Sequence, residues 1–351
     1  MQKTKFSSYC LNGIADGCKY CIKGEKLVLF ITGKCPVKCW YCSLSKKRKD
    51  IDKIWANERE CKNVKDVISE VKESNATSAG ITGGDPLLFF ERTIRFAKAL
   101  KKEFKNFHMH IYLPTLFVTK EKLQKLSKYV DEVRFHPLFL SRNLSEKDKN
   151  FDIEKIKLAL LFWKKQNIGI EMPCFPERKK EIWEFIKKLK NYIGFVNLNE
   201  FEISETNYDI ITKNYKLNKD GYTIADSKKA GLWIIRQAEK EKLKLKIHLC
   251  TAETKNWHQY KNRLKLHKIY KYGYRTPDGI VRYFAIYAKN VDKTAKELKK
   301  FKEIYVDKNK NRIILDEKIV PGILKLKKYK IARVEEYPTF DKDETQFEFI
   351  N

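Results

Sequence analysis

From Lys26 to about Thr254 the chain repeats one alternation. A short apolar, β-branched run is followed by a segment whose apolar residues fall at helical spacing. Lys26 to Thr32 (KLVLFIT) reads as a buried strand, and Gly33 ends it. Val64, Val67, Ile68 and Val71 then mark a helix behind an Asn63 cap. Further strands are expected around Gly80, from Phe107 to Leu113, Glu132 to Pro137, Ile168 to Met172, Phe195 to Ile203 and Leu243 to Leu249. Between them lie helical faces, among them Ile153, Ile156, Leu160 and Trp163, and a helix from about Ser227 to Lys242. Repeated strand–helix units of this kind form a parallel sheet with right-handed crossovers. The fold class is therefore α/β.

The loop after the first strand carries Cys35-Pro36-Val37-Lys38-Cys39-Trp40-Tyr41-Cys42, a C-x3-C-x2-C spacing. Three thiols on one polar, Lys-rich loop are poorly placed for a core. Zinc sites favour paired spacings with four ligands, whereas iron–sulfur clusters are held by cysteine thiolates. A cluster held by three of them keeps one iron open to bind and reduce something. The strand at Ala79 to Thr82 then runs into Gly83-Gly84-Asp85-Pro86. These two motifs, in this order, resemble the radical SAM superfamily.

That resemblance implies a partial (β/α) barrel of about six parallel strands over residues 26–255. It also implies a 4Fe–4S cluster on Cys35, Cys39 and Cys42, with S-adenosylmethionine chelated at the open iron. Gly83, Gly84 and Asp85 would position the methionyl amino group, with Asp standing where the family has Glu. Tyr41 would lie near the adenine, and His136, Glu171 and Asn199 would contact ribose or carboxylate. Barrels of this kind do their chemistry at the C-terminal ends of the strands. That adds Thr115, Cys174, Glu202 and Cys250 to the cavity-facing candidates. A low-potential electron donor is the partner such chemistry requires.

Cys10, Cys18 and Cys21 precede the barrel, and Cys18-Lys19-Tyr20-Cys21 reads as a C-x2-C knuckle flanked by Gly17 and Gly24. With Cys250 as a fourth ligand they would hold an auxiliary iron–sulfur cluster or a zinc ion. The competing reading is an apolar N-terminal plug with free thiols. Cys61 reads as a packed thiol, and His108 and His110 share one face of their strand.

The last eighty or so residues follow a different order, βαββαβ, the ferredoxin-like arrangement, over residues 270–351. A Thr276-Pro277-Asp278-Gly279 turn opens it, and basic and aromatic residues alternate on its first long strand, Arg282 to Tyr287. RNA-binding sheets stack bases on such aromatics.

The chain has 351 residues and a net charge of +29. Charge of that size suits a polyanion such as RNA, but it is spread along nearly every helix, as a lysine-biased proteome alone would make it. No apolar stretch has transmembrane length and Met1 to Lys5 lacks a signal-peptide core. The expectation is a cytoplasmic protein whose nine cysteines are ligands or free thiols. Three functions remain open. The first is radical chemistry on RNA. The second is activation of a partner protein, or modification of a peptide or metabolite. The third is a non-catalytic iron–sulfur RNA-binding protein. The Gly-Cys-x2-Cys-x2-Gly segment before the triad resembles an archaeal-type branch related to pyruvate formate-lyase activating enzymes.

Overall fold

The computed structural model describes residues 1–141 and 146–351. The chain divides into two compact units, residues 1–72 with 76–260, and residues 73–75 with 261–351.

In the first unit, β1 (Tyr9–Leu11) and α1 (Asp16–Lys23) lead into β2 (Lys26–Phe30). Next come α2 (Val64–Ser74), β3 (Ser78–Thr82), α3 (Phe90–Glu103), β4 (His108–Pro114), α4 (Lys120–Leu126) and β5 (Glu132–His136). They are followed by α5 (Glu146–Lys157), β6 (Ile168–Pro173), α6 (Lys179–Leu189) and β7 (Phe195–Asn199). The unit is completed by α7 (Tyr208–Asn214), α8 (Ser227–Lys240) and β8 (Lys246–Cys250).

Strands β2 to β8 lie side by side in chain order, every pair parallel. The barrel thus has seven parallel strands rather than about six. It is left open, because each outer strand takes an antiparallel neighbour. The hairpin Ile54–Ala56 and Arg59–Cys61 pairs with β2, and β1 pairs with β8. The predicted Asn63 cap is present, its side chain accepting from the N–H groups of Lys65 and Asp66, and the Thr119 hydroxyl caps α4 by accepting from Lys122 N–H.

Parallel strands covered on both faces are ordinarily apolar in both phases. Here only one phase is. Leu27, Leu29, Ala79, Ile81, Met109, Ile111, Val133, Phe135, Ile170, Leu198, Ile247 and Leu249 form one buried core. The opposite phase holds Lys26, His110, Tyr112, Glu132, Arg134, Glu171, Asn197 and His248. That alternation gives the barrel a polar interior.

Three expectations are corrected here. Cys18 and Cys21 sit on a helix, α1, and not in a knuckle; Gly24 is its left-handed C-cap. The helix carrying Ile153 and Ile156 stops at Lys157 and tightens into a 3₁₀ turn, Leu158–Leu161. Leu160 is thereby left exposed while Trp163 stays buried. Strand β7 ends at Asn199, four residues early, and the chain from Glu200 onward becomes a loop.

The second unit has β9 (Val281–Tyr287), α9 (Val291–Glu297), β10 (Ile304–Asp307), β11 (Arg312–Leu315), α10 (Val320–Leu324), β12 (Ala332–Glu336) and β13 (Glu344–Phe349). The sheet order is β10-β11-β9-β12-β13, all antiparallel. Its first four strands have the ferredoxin-like order, and β13 is an added edge strand that the sequence pattern did not signal. On β9, Tyr283 is fully buried with its hydroxyl on Glu336, and Phe284 packs on the core that faces the helices. Neither ring is presented for base stacking. Among the described residues, no helix is long and apolar enough to cross a membrane.

Candidate functional site

At the C-terminal ends of the strands a cavity of about 880 Å³ opens, near the upper end of the range for small-molecule sites. Cys35, Cys39 and Cys42 all line it, as do Tyr41, Gly83, Gly84, His136, Glu171, Asn199 and Glu202. The three thiols are free and half-buried.

Backbone hydrogen bonds hold the first arm of the cysteine loop. Gly84 N–H donates to Thr32 O at 2.7 Å, Asp85 N–H to Lys34 O at 3.0 Å, and Gly33 N–H to Ile51 O at 2.8 Å. The Gly-Gly pair is required by this close approach. A Cβ on Gly84 would stand 2.3 Å from Lys34 O, and one on Gly83 2.5 Å from Thr32 O.

The donors around the thiols suit thiolate ligands. Burial pushes the Cys35 thiol up to about 11, and the N–H groups of Val37 and Lys38 act against that rise. Burial likewise raises Cys39, with the Ser141 hydroxyl acting against it. Loading with metal must therefore release protons. Among the described residues, no three His, Cys, Asp or Glu side chains are grouped to hold a single metal ion. A four-iron cluster takes its protein sulfurs on different irons, so its ligands need a common wall and not a common point. The triad meets that requirement.

Cys10, Cys18, Cys21 and Cys250 do not line the cavity and lack the shared point a structural zinc needs. Cys18 is buried against Asn197 Oδ1 at 3.6 Å, and Cys250 Sγ accepts from Gln259. Helix α1 closes the N-terminal end of the barrel, where Gly17 N–H donates to Glu132 at 3.2 Å. Thr115 and Cys174 also lie outside the cavity. The first is bonded to Asp152, and the second is buried beside Gly231.

Tyr41 is buried, and its hydroxyl lies 2.6 Å from His136 Nε2. His136 Nδ1 donates to Glu171 O at 3.0 Å, so Nε2 carries the lone pair and the tyrosine O–H donates to it. Burial lowers the His136 pKa and favours this neutral ring. Asp85 departs from its expected place. Its Oδ1 accepts from Leu87 N–H at 2.9 Å, capping the next turn, and it lies behind the cavity wall.

Burial raises Asp85 from 3.8 to about 6. A carboxyl whose folded pKa exceeds its unfolded one contributes stability at low pH and loses it as pH rises through the folded value. On this group's account, stability of the metal-free protein falls between about pH 4 and pH 6. Asp85→Asn is expected to flatten that slope and to gain about 2 kcal/mol at neutral pH. Urea unfolding at pH 4 and pH 7 checks it.

Sequence reasoning passed over the polar residues one layer deeper. Lys26, Tyr112 and Arg134 line the cavity. Arg134 Nη1 donates to Glu171 Oε2 at 2.8 Å, and its Nε to Glu132 Oε1 at 2.7 Å. Asn199 Nδ2 donates to Glu171 Oε1 at 3.0 Å. Burial works against the Glu171 carboxylate, but Arg134 and Asn199 hold its pKa below the ordinary value. Lys255 and Glu202, which also line the cavity, form an ion pair. The signal for these residues is the polar phase of strands otherwise made of Val, Ile and Leu.

The family described as the Radical SAM superfamily matches residues 29–189. A protein of Methanocaldococcus jannaschii named "Putative glycyl-radical enzyme activating enzyme" is 39% identical over 255 residues, 72% of this chain and 67% of that protein. Among solved structures, coproporphyrinogen III oxidase from Escherichia coli aligns with a TM-score of 0.39 at 10% identity, over 66% of this chain and 56% of that one. The methyltransferase TsrM from Kitasatospora setae aligns at 0.36 and 11%, over 56% and 41%. The chain spans less than two thirds of either solved protein. With a loop of three thiols lining one cavity and a relative at this level of identity, the chain belongs to the radical SAM superfamily, enzymes that work with a 4Fe–4S cluster and S-adenosylmethionine.

Proposed function

We propose that this enzyme removes a hydrogen atom from a glycine of a partner polypeptide, with Cys35, Cys39 and Cys42 as the cluster ligands. The observation that carries the choice of substrate is the 39% identity, over most of both chains, to a protein named as a glycyl-radical enzyme activator. The case for RNA rests on net charge alone, and the buried Tyr283 and packed Phe284 of β9 remove its structural support.

The chemistry such a cluster supplies when bound is one electron to the sulfonium of S-adenosylmethionine, which leaves methionine and a 5′-deoxyadenosyl radical able to take hydrogen. The chain's own part is holding and shielding. The thiolates of the triad fix the metal on the loop, and the N–H groups of Val37 and Lys38 steady Cys35. The Gly83-Gly84 backbone braces that loop from behind. Glu171, ionised and held by Arg134 and Asn199, offers an oriented anionic edge to an ammonium or a ribose hydroxyl. His136 stays neutral and anchors Tyr41. Phe201, Met172 and Ile203 give the wall an apolar part that excludes water.

The test uses anaerobically loaded enzyme, a reductant and a short peptide whose central glycine carries two α-deuterons. Deuterium in the 5′-deoxyadenosine, absent with the matching alanine peptide, is the expected result. Turnover of S-adenosylmethionine with no deuterium transfer from any glycine peptide, but with transfer from deuterated RNA, overturns the polypeptide reading.

A further inference from the structure

The loop that replaces the predicted end of β7 does two jobs at once. Glu200, Phe201, Glu202, Ile203 and Ser204 wall the cavity. Ser204, Thr206 and Asn207 also reach the carbonyls of the second arm of the cysteine loop. Asn207 Nδ2 donates to Tyr41 O at 3.1 Å. Thr206 Oγ1 donates to Leu44 O at 2.6 Å and lies 3.2 Å from Cys42 O. Ser204 Oγ lies 3.4 Å from the same Cys42 carbonyl. Glu205 accepts from Lys46 N–H at 2.8 Å. The loop is itself braced, since Asn207 Oδ1 accepts from Ser204 N–H at 2.6 Å and Asn207 is buried.

The two arms of the cysteine loop are thus held differently. Backbone groups secure the first, at Thr32 to Lys34. Side chains from a segment about 160 residues away secure the second, which carries Cys42. The consequence is electrostatic as well as mechanical. A carbonyl oxygen turned toward an anionic sulfur raises its energy, whereas an N–H or O–H lowers it. The side chains of Asn207, Thr206 and Ser204 occupy the carbonyls of Tyr41, Cys42 and Leu44 and so fix their direction.

We propose that Ser204, Thr206 and Asn207 are positioning residues for the cluster ligands, acting through the carbonyls of Tyr41, Cys42 and Leu44. This rests on the reading that the three cysteines hold the cluster. Outer partners of metal ligands are commonly worth tenfold or more in metal retention. Tyr41, which directly precedes Cys42, is held twice, by Asn207 at its carbonyl and by His136 at its hydroxyl.

The experiment compares Thr206→Val, Thr206→Ser and Asn207→Leu with the parent, all loaded anaerobically with iron and sulfide. Two readouts are taken: the rate of iron transfer to a chelator, and the change in the electron paramagnetic resonance spectrum of the reduced cluster on adding S-adenosylmethionine. Thr206→Val is near-isosteric at a half-buried position, so it should fold even where Asn207→Leu does not; thermal unfolding of the metal-free proteins verifies this. Thr206→Val and Asn207→Leu are expected to lose iron about tenfold faster and to broaden the spectrum. Thr206→Ser, which keeps the hydroxyl, is expected to match the parent. Unchanged iron loss and unchanged spectra in a folded Thr206→Val protein overturn the proposal. If the parent itself takes up no 4Fe–4S cluster, the ligand assignment falls first and this inference with it.

Discussion

With Cys39 replaced by alanine, anaerobically loaded protein is expected to keep its fold and to release 5′-deoxyadenosine at least about 100-fold more slowly than the parent. The fold is expected to survive because the loop is anchored elsewhere. Its first arm hangs on Thr32 and Lys34, and its second on Ser204, Thr206 and Asn207. Activity is expected to fail because two thiolates leave two irons unheld where the site is built to leave one open. Cys39 also sits beside the Ser141 hydroxyl. Iron and sulfide content measured beside turnover separates the causes. The matched control is Cys61→Ala, which removes a buried thiol outside the cavity. Equal turnover in both variants would sink the ligand assignment.

The contrast between those two thiols shows what the sequence could say. Cys35, Cys39 and Cys42 were legible because their spacing is local and because Gly33 and the strand before it fix where the loop begins. The Gly83-Gly84 turn was legible for a similar reason, since its steric demand is written in two adjacent residues. Its third member was not. Asp85 follows the same turn, but its shorter side chain reaches Leu87 N–H and caps the chain behind the wall. Spacing cannot show whether a side chain turns inward or back.

The second class of omission has a different origin. Arg134 and Tyr112 sit within their strands and Lys26 opens β2, where a reading tuned to apolar runs treats a single polar residue as an interruption. Eight such residues, on one phase of the strands, build the barrel's interior. Ser204, Thr206 and Asn207 were missed because the pattern carried β7 on to Ile203, and no local feature tells that a strand stops at Asn199. The stop is set by tertiary contact, with Phe201 N–H donating to Ser227 Oγ and Ile203 N–H to Tyr222 O. Leu160 failed in the same way: its helical spacing is correct, but the helix ends three residues before it.

Arg134→Met is the substitution expected to cost most in stability, about 3–5 kcal/mol. Methionine fills comparable volume, so the loss is electrostatic. The guanidinium is almost fully buried, with Glu132 at 2.6 Å and Glu171 at 2.8 Å. Burial works against its charge, and the neighbouring acids hold that charge in place. Removing it leaves two carboxylates in the interior without their shared cation. The pH dependence follows from Glu171, whose pKa is depressed in the intact protein. A depressed carboxylate contributes stability above its unfolded pKa of about 4.3 and loses it as pH falls through the lower folded value. In the variant that contribution reverses, because burial now favours the protonated acid. The deficit should therefore be greatest at neutral pH and shrink toward pH 4. Adding Glu171→Gln to Arg134→Met should recover part of the loss at pH 7 and little at pH 4, since the amide carries no charge to strand. Urea midpoints of the single and double variants at both pH values measure this directly. A deficit independent of pH would place the role of Arg134 in packing rather than in charge.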